Sequence, residues 1–293
     1  MLGITENVQG KSIKVIFNVD DPANVTINID GVNQGLVKGN NEITIDAPCG
    51  YYSTVNVQAT TDNFITSVIK GGANQVSSPY NTTWSYYPSD SDAGKIITIS
   101  TIKGSVARTA SCTVNVDNAS KVKVMRSGSY SVVQLHNGEN TVYYIPGYET
   151  MLIIESATYG VPLYKATLNG EDLAYSYGYS ANLSNDGGDK VDILANFPEG
   201  LTYNVKFTYA DANKAKGVVT NVIVDAAVVD NFNDPAGFNI PAGKAVNISF
   251  DNVGYKIDKV LVNGKYENVY STYSFTPIAD TEIYIDAHKY GTV

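Results

Sequence analysis

The chain has little of what catalytic and crosslinked proteins depend on: its 293 residues include two Cys, two His, one Trp and three Met. Cys49 and Cys112 occupy non-equivalent places in different repeats of the chain, so they make no disulfide framework, and each reads as an ordinary buried or half-buried thiol that packs as a small hydrophobe. His136 precedes Asn137-Gly138 and reads as a hairpin residue, and His288 is expected beyond the last strand; neither has partners that would complete a triad or a ligand set. Charge is sparse at 17% of residues, and 20 Lys and Arg stand against 29 Asp and Glu. A nucleic-acid binder gathers its basic residues into a patch. Here Lys121, Lys123 and Arg126 make only a short strip, expected to be the solvated face of an alternating strand. Binding to nucleic acid or to an anionic membrane surface is therefore disfavoured. No run approaches the roughly 18 apolar residues of a membrane helix. Met1 to Gly10 lacks the basic and apolar regions of a secretory signal, so synthesis in a cytoplasm is expected. The N-x-S/T triplets at Asn24, Asn81, Asn118, Asn182 and Asn247 are expected by chance in a chain rich in Asn, Ser and Thr.

What is abundant is repetition. Lys70-Gly71-Gly72, Leu168-Asn169-Gly170 and Val262-Asn263-Gly264 are three versions of one turn, with glycines at 72, 170 and 264. A closing strand follows each turn, as Lys95-Ile96-Ile97-Thr98-Ile99, Lys190-Val191-Asp192-Ile193-Leu194 and Thr281-Glu282-Ile283-Tyr284-Ile285, aligned on Lys95, Lys190 and Thr281. A period near ~95 residues is the size of a domain, not of a solenoid unit. The expected domains are 1–103, with an N-terminal lead-in, 104–198 and 199–293, joined at Ile102-Lys103-Gly104-Ser105 and at Asn196-Phe197-Pro198-Glu199-Gly200. Six basic against nine acidic residues in each of the first two domains, and eight against eleven in the third, give every domain the same charge of −3.

Alternation of period two dominates, as in Ile13 to Val19, Val25 to Ile29, Cys112 to Val116 and Tyr203 to Phe207. Asp30-Gly31, Asn137-Gly138, Asn169-Gly170 and Asn263-Gly264 supply the positive φ of tight hairpins. Tyr209 to Lys216, the best helical window, reads as a loop or a single turn. Six or seven short strands per domain predict an all-β protein: three tandem immunoglobulin-like β-sandwiches forming an elongated rod.

Two acidic loops before the closing strands, Asp90-Ser91-Asp92 and Asn185-Asp186-Gly187-Gly188-Asp189, offer hard oxygen ligands to Ca²⁺ through Asp90, Asp92, Asp186 and Asp189. Asx and Gly turns explain the same residues without a metal, and no cofactor is expected. Tyr is the outlier at 22 against 8 Phe. The runs holding Trp84, Tyr86 and Tyr87, and Tyr175, Tyr177 and Tyr179, read either as contact platforms for a partner or as cross-strand pairs at half-buried sheet positions. Met1, Leu2 and Ile4 are further partner-binding candidates.

Taken together, a strand ending in Val-Asp, a Gly-Gly or Asn-Gly turn, a Tyr-Ser/Thr patch and a closing Ile-x-Ile resemble the immunoglobulin-like repeat modules of tailed-bacteriophage virion proteins, in particular the auxiliary (decoration) capsid or head-fibre proteins of crAss-like gut phages. The resemblance implies a non-enzymatic virion protein on the capsid exterior. Its partners would be the major capsid protein or other virion proteins, with weak contacts to host-surface or mucosal glycans. Similar modules occur on gut bacteria, which implies as the alternative a carbohydrate-binding or adhesive module at the cell surface.

Overall fold

Alternation builds the first strand. From Lys11 to Val19 the side chains of Ile13, Val15, Phe17 and Val19 are buried on one face while Lys14 stays in solvent, the pattern a pleated strand gives when one side is dry. The computed structural model describes residues 11–47, 51–212, 215 and 217–291, and it repeats this device through three sandwiches. The first comprises β1 (Lys11–Val19), β2 (Val25–Ile29), β3 (Val32–Asn33), β4 (Gly39–Ala47), β5 (Val55–Ala59), β6 (Asn63–Lys70), β7 (Ala73–Asn74), β8 (Thr83–Tyr86) and β9 (Ile96–Lys103). A short helix, α1 (Gly104–Ala107), leads to β10 (Ala110–Val116), β11 (Val122–Arg126), β12 (Val132–Val133), β13 (Gly138–Tyr144), β14 (Met151–Ser156), β15 (Lys165–Leu168), β16 (Glu171–Asp172), β17 (Tyr179–Asn182) and β18 (Lys190–Leu194). The third sandwich has β19 (Thr202–Tyr209), β20 (Val219–Val224), β21 (Ala227–Val228), β22 (Phe238–Pro241), β23 (Val246–Phe250), β24 (Tyr255–Val262), β25 (Lys265–Glu267), β26 (Thr272–Phe275) and β27 (Thr281–Lys289).

Strand order is the same three times. A five-stranded sheet, β4-β1-β9-β6-β7, faces a four-stranded one, β3-β2-β5-β8, and the second and third repeats reproduce both orders strand for strand. The first strand of each repeat runs antiparallel to the fourth and parallel to the ninth, with Val19 opposite Ile99, Val116 opposite Ile193 and Tyr209 opposite Ile285. These are tandem immunoglobulin-like sandwiches in architecture. Their winding differs from that of antibody domains, in which the first two strands share a sheet. Nine strands, not six or seven, arise because the hairpins after the second and sixth strands each add a ribbon of two or three residues.

Each sandwich has its own core, built around Phe17 and Ile27 in the first, Leu152 and Val191 in the second, and Val222 and Ile248 in the third. The accessible surface of 16433 Å² exceeds the roughly 12,100 Å² of one compact globule of this mass. It is close to the total for three separate bodies, so the junctions between repeats are narrow.

The turns confirm the glycine landmarks. Asn169 and Gly170 have φ of 53° and 89°, Asn263 and Gly264 47° and 81°, and Gly71 and Gly72 59° and 83°, the pair of positive values that matches the twist of a two-residue hairpin. Asn137-Gly138 is different. Only Gly138 is left-handed, and it opens β13 instead of turning a hairpin. The closing strands also correct the alignment: Lys190 pairs with Thr113 as Ile96 pairs with Ile16, so Lys190 matches Ile96, one residue beyond Lys95. His288 lies inside β27, with Nδ1 2.7 Å from an Asp258 carboxylate oxygen, and not beyond the last strand.

Two polar devices hold the frame. Asn41 and Asn140 are buried at equivalent places; Asn140 Nδ2 donates to the carbonyls of Val114, His136 and Gly138 while its Oδ1 accepts the His136 N–H, and Asn41 does the same with Phe17, Val37 and Gly39. The Val-Asp ends of β1 and β10 tie down the closing strands, as Asp20 accepts the N–H and hydroxyl of Thr101 and Asp117 accepts the N–H groups of Ala195 and Asn196.

At the β20–β21 hairpin the left-handed pair is Asp225-Ala226, with φ of 49° and 68°. A Cβ at such a φ costs about 1 kcal/mol or more. Ala226→Gly is therefore expected to stabilise the third repeat by about 1 kcal/mol, read as a higher urea midpoint at unchanged slope; an unchanged or lower midpoint contradicts the strain.

Candidate functional site

Among the described residues no three His, Cys, Asp or Glu side chains gather as a metal centre would require. The chemistry that stands out is buried charge. Glu149, in the loop between β13 and β14, is completely buried, and Arg108, just after α1, is nearly so. Arg108 Nε and Nη2 fork onto the Glu149 carboxylate at 3.0 and 2.9 Å, and its Nη1 reaches back to Asp62 in the β5–β6 turn at 2.8 Å. Glu149 accepts two more hydrogen bonds, from the Ile145 N–H at 2.9 Å and the Ser129 hydroxyl at 2.6 Å. Every lone-pair direction of the carboxylate is thus met, as a charge out of water requires. Burial pulls the Arg108 guanidinium down, but Glu149 and Asp62 more than compensate and its pKa lies above the ordinary value.

Because Asp62 belongs to the first sandwich and Glu149 to the second, Arg108 is a bridge. Around it Phe64, Ala107 and Ile145 form a separate buried cluster with Tyr80, Ile102 and Tyr148 against it. The Phe64 ring meets Tyr80 and Tyr148 edge-on at 5.8 and 6.0 Å, and the Tyr148 hydroxyl donates to the Tyr80 carbonyl at 3.0 Å. Such aromatic pairs contribute about 0.5–1.5 kcal/mol each beyond their area. Gly104 allows the approach: a Cβ there would stand 2.4 Å from the Asp62 carbonyl oxygen.

The second junction is lighter. Phe197 packs between Tyr164 at 5.4 Å and Tyr203 at 6.5 Å, the Thr276 hydroxyl donates to the Gly160 carbonyl at 3.3 Å, and Lys265 sits 5.8 Å over the Tyr177 ring. These side chains are half-buried or exposed, and no buried ion pair joins the second and third repeats among the described residues.

The acidic loops carry turns. Asp92 is buried and accepts the N–H and hydroxyl of Ser89, both at 2.9 Å, with Lys70 Nζ 3.1 Å from its other oxygen. Burial would raise its pKa, but Tyr86, Ser89 and Lys70 hold it at about 2. The Tyr86 hydroxyl faces Asp92 without a well-formed hydrogen bond and is the buried side-chain polar atom left unpaired among the described residues. Asp189 accepts the Ser184 N–H at 2.6 Å and the Asn169 amide at 2.9 Å. Asp90 pairs with Lys11 and takes the Tyr52 hydroxyl at 2.6 Å, while Asp186 stays in solvent with its N–H on Ser184 Oγ. The four carboxylates do not converge on a common point.

The aromatic candidates divide by strand parity in the first run and by a left-handed turn at Tyr177, with φ of 59°, in the second. Trp84 and Tyr86 lie two apart on β8 and turn inward, stacked at 5.4 Å, with Trp84 half-buried and Tyr86 buried. Tyr179 on β17 is buried too; its hydroxyl donates to the Tyr164 carbonyl at 3.0 Å, burial pushes its pKa up to about 12, and Tyr175 packs edge-on against it at 5.2 Å. Tyr86 and Tyr179 are thus core residues and not contact residues, and Trp84 and Tyr175 pack against that core. Tyr87 and Tyr177 remain in solvent at 76% and 88% exposure. Met1, Leu2 and Ile4 lie outside the described residues. Arg126 corrects the basic strip: its parity on β11 is that of buried Val124, so it points inward, where Nε donates to the Tyr143 carbonyl at 2.7 Å. Arg108 and Glu149 carry no sequence signal, since each looks like an ordinary surface residue.

No family model and no curated protein matches the chain. Among solved structures it is similar to a streptococcal ancillary pilin, with 9% identity over 96% of this chain and 100% of that one and a TM-score of 0.21. It is also similar to two B repeat units of the collagen-binding protein of Staphylococcus aureus, with 11% identity over 97% of this chain and 94% of that one and a TM-score of 0.18. Likenesses this shallow say nothing of what the chain binds.

Two outcomes follow from the geometry. Arg108→Ala removes the forked partner of the buried Glu149 and leaves it only the more distant Arg126 Nε at 4.0 Å, an expected loss of about 3 kcal/mol, and urea unfolding should then resolve separate transitions for the first two repeats; a single transition at the original midpoint contradicts the clamp. The folded pKa of Asp92 lies below its ordinary value of 3.8, so its contribution is present above about pH 4 and is lost as pH falls through about 2, amounting to roughly 2 kcal/mol. Asp92→Asn should flatten the stability profile over that window, and an unchanged profile contradicts the assignment.

Proposed function

We propose that the chain is a non-enzymatic structural protein that holds two sandwiches in a fixed mutual orientation and carries a third on a looser joint, so as to space and present surface. The observation that carries this reading is the Arg108 clamp. Among the described residues the most buried charge, Glu149, is fully engaged in joining repeats and is offered to no ligand. On the outside of a phage capsid such a chain would act as an auxiliary protein bound to the major capsid protein or another virion protein. It would stabilise the shell or display its outer repeats, and the exposed rings of Tyr87 and Tyr177 would make weak contacts to host-surface or mucosal glycans. High copy number makes weak contacts effective, because each engagement raises the local concentration for the next. The repeat pattern that resembles phage modules supports this finer reading.

A second reading, an adhesive or carbohydrate-binding module of a bacterial cell surface, draws on the same exposed rings together with Tyr51 at 86% exposure. Mixing the purified chain with phage shells that lack it separates the two. Saturable occupancy is the expected result for the capsid protein. No occupancy, with glycan-array binding that Tyr87→Ala or Tyr177→Ala removes, is the result for the adhesive module and overturns capsid decoration.

A further inference from the structure

The three repeats share one scaffold but differ at the edge where the second-strand hairpin faces the fourth strand. In the second repeat this space is filled from within. Arg126 crosses from β11 to the Tyr143 carbonyl on β13, its side chain only 13% exposed, and Tyr144 beside it is buried. Pairing registers identify the counterparts in the third repeat. Arg126 lies opposite Leu152 as Val224 lies opposite Val246, and Tyr143 and Tyr144 lie opposite Ser111 and Ala110 as Asn239 and Ile240 lie opposite Asn204 and Tyr203. Val224 therefore stands where Arg126 does, and Ile240 where Tyr144 does. Two large side chains have become small at facing positions of the two sheets.

The first repeat also has small residues there, Ile29 and Ile45, and in the third repeat this edge carries a solvent-open cavity of about 360 Å³, with Val224, Val228, Phe238 and Ile240 among its walls. Asn239, whose carbonyl corresponds to the acceptor of Arg126, also lines it, and Asp225 stands at the mouth in an exposed ion pair with Lys244. An exposed pair of this kind contributes at most about 1 kcal/mol and exchanges readily. We propose that this cavity is a binding site for the side chain of an arginine, or a like guanidinium on an aliphatic stem, presented by a partner. The stem would lie on the exposed Val228 and against the edges of Val224 and Ile240, the planar donors would reach the Asn239 carbonyl as Arg126 reaches that of Tyr143 one repeat earlier, and the Asp225 carboxylate would exchange Lys244 for the guanidinium. The chain's net charge of −9 favours the approach of a cationic partner. This site is independent of which surface the chain decorates.

The test is an amide-shift titration of the full chain with N-acetyl-arginine amide, and in parallel with its uncharged isostere N-acetyl-citrulline amide. A single side chain of this size supports about a millimolar constant. Saturable shifts confined to Val224, Val228, Asn239 and Ile240 are expected, at least about tenfold weaker with citrulline and about fivefold weaker in Asp225→Asn. Val224→Arg supplies the guanidinium in cis and should abolish the shifts. Should that variant fail to fold, Ala227→Trp at the exposed mouth blocks the site from outside and should do the same. Absence of saturable shifts at those amides, equal binding of citrulline, or undiminished binding by a folded blocked variant each overturns the proposal.

Discussion

A carboxylate that is wholly out of water tolerates few surroundings, and Glu149 is the constraint on which the rest of this molecule turns. It needs a counter-charge and donors for its remaining lone pairs, and it obtains them only when Arg108, Ser129 and the Ile145 N–H are all in place. Arg108 in turn has donors left over, and they meet Asp62 across the junction. The ion pair itself is weak evidence for stability, since a well-packed apolar substitute often does as well or better. What it supplies is geometry. A forked guanidinium accepts one relative placement of two carboxylates, and it adds that direction to the packing of Phe64, Tyr80, Ile145 and Tyr148. The first junction is therefore directional, and the second, built from Phe197 and its neighbours, is not.

What the three repeats keep and what they vary follow the same logic. The kept features serve the sandwich: paired positive-φ hairpins, the parallel contact of first and ninth strands, and alternating burial. The varied ones sit at edges and ends. Asn41 and Asn140 plug the start of the fourth strand in two repeats, but the register puts Ala236 there in the third, where Asn204 bonds the Ala236 carbonyl instead. Arg126 is present once, next to the clamp, and Val224 replaces it where there is no clamp to complete. Divergence at edges leaves the core untouched, because edges touch neighbours and solvent while inward faces touch each other.

Much of the fold was legible in the residues because period-two alternation and Asn-Gly turns are local signals with local causes. The domain-sized spacing, the closing strands and the hairpins at Gly72, Gly170 and Gly264 all follow from them. The one-residue slip at Lys190 was not legible, since Ile96-Ile97 offers two adjacent apolar residues and only pairing with β1 decides which is buried. Tyr86 and Tyr179 could not be told from Tyr87 and Tyr177 by composition; strand parity separates Tyr86 from Tyr87, while Tyr177 stands in a left-handed turn with φ of 59° just ahead of β17. Arg126 fell on the inner face by strand parity too. Arg108 and Glu149 were invisible because burial of a charge is a tertiary event: they stand 41 positions apart in the chain, and nothing in Val106-Ala107-Arg108-Thr109 or Gly147-Tyr148-Glu149-Thr150 announces that they meet.

The central claim is that the first two repeats move as one body while the third moves about its own joint. Residual dipolar couplings measured on the full chain in a weakly aligned medium address it directly. The expected result is one alignment tensor fitting the backbone amides of β1 to β18, with a tensor of different magnitude or orientation for β19 to β27. Couplings of the second repeat that are uniformly scaled down relative to the first would mean that the Arg108 junction swings freely, and would contradict the account.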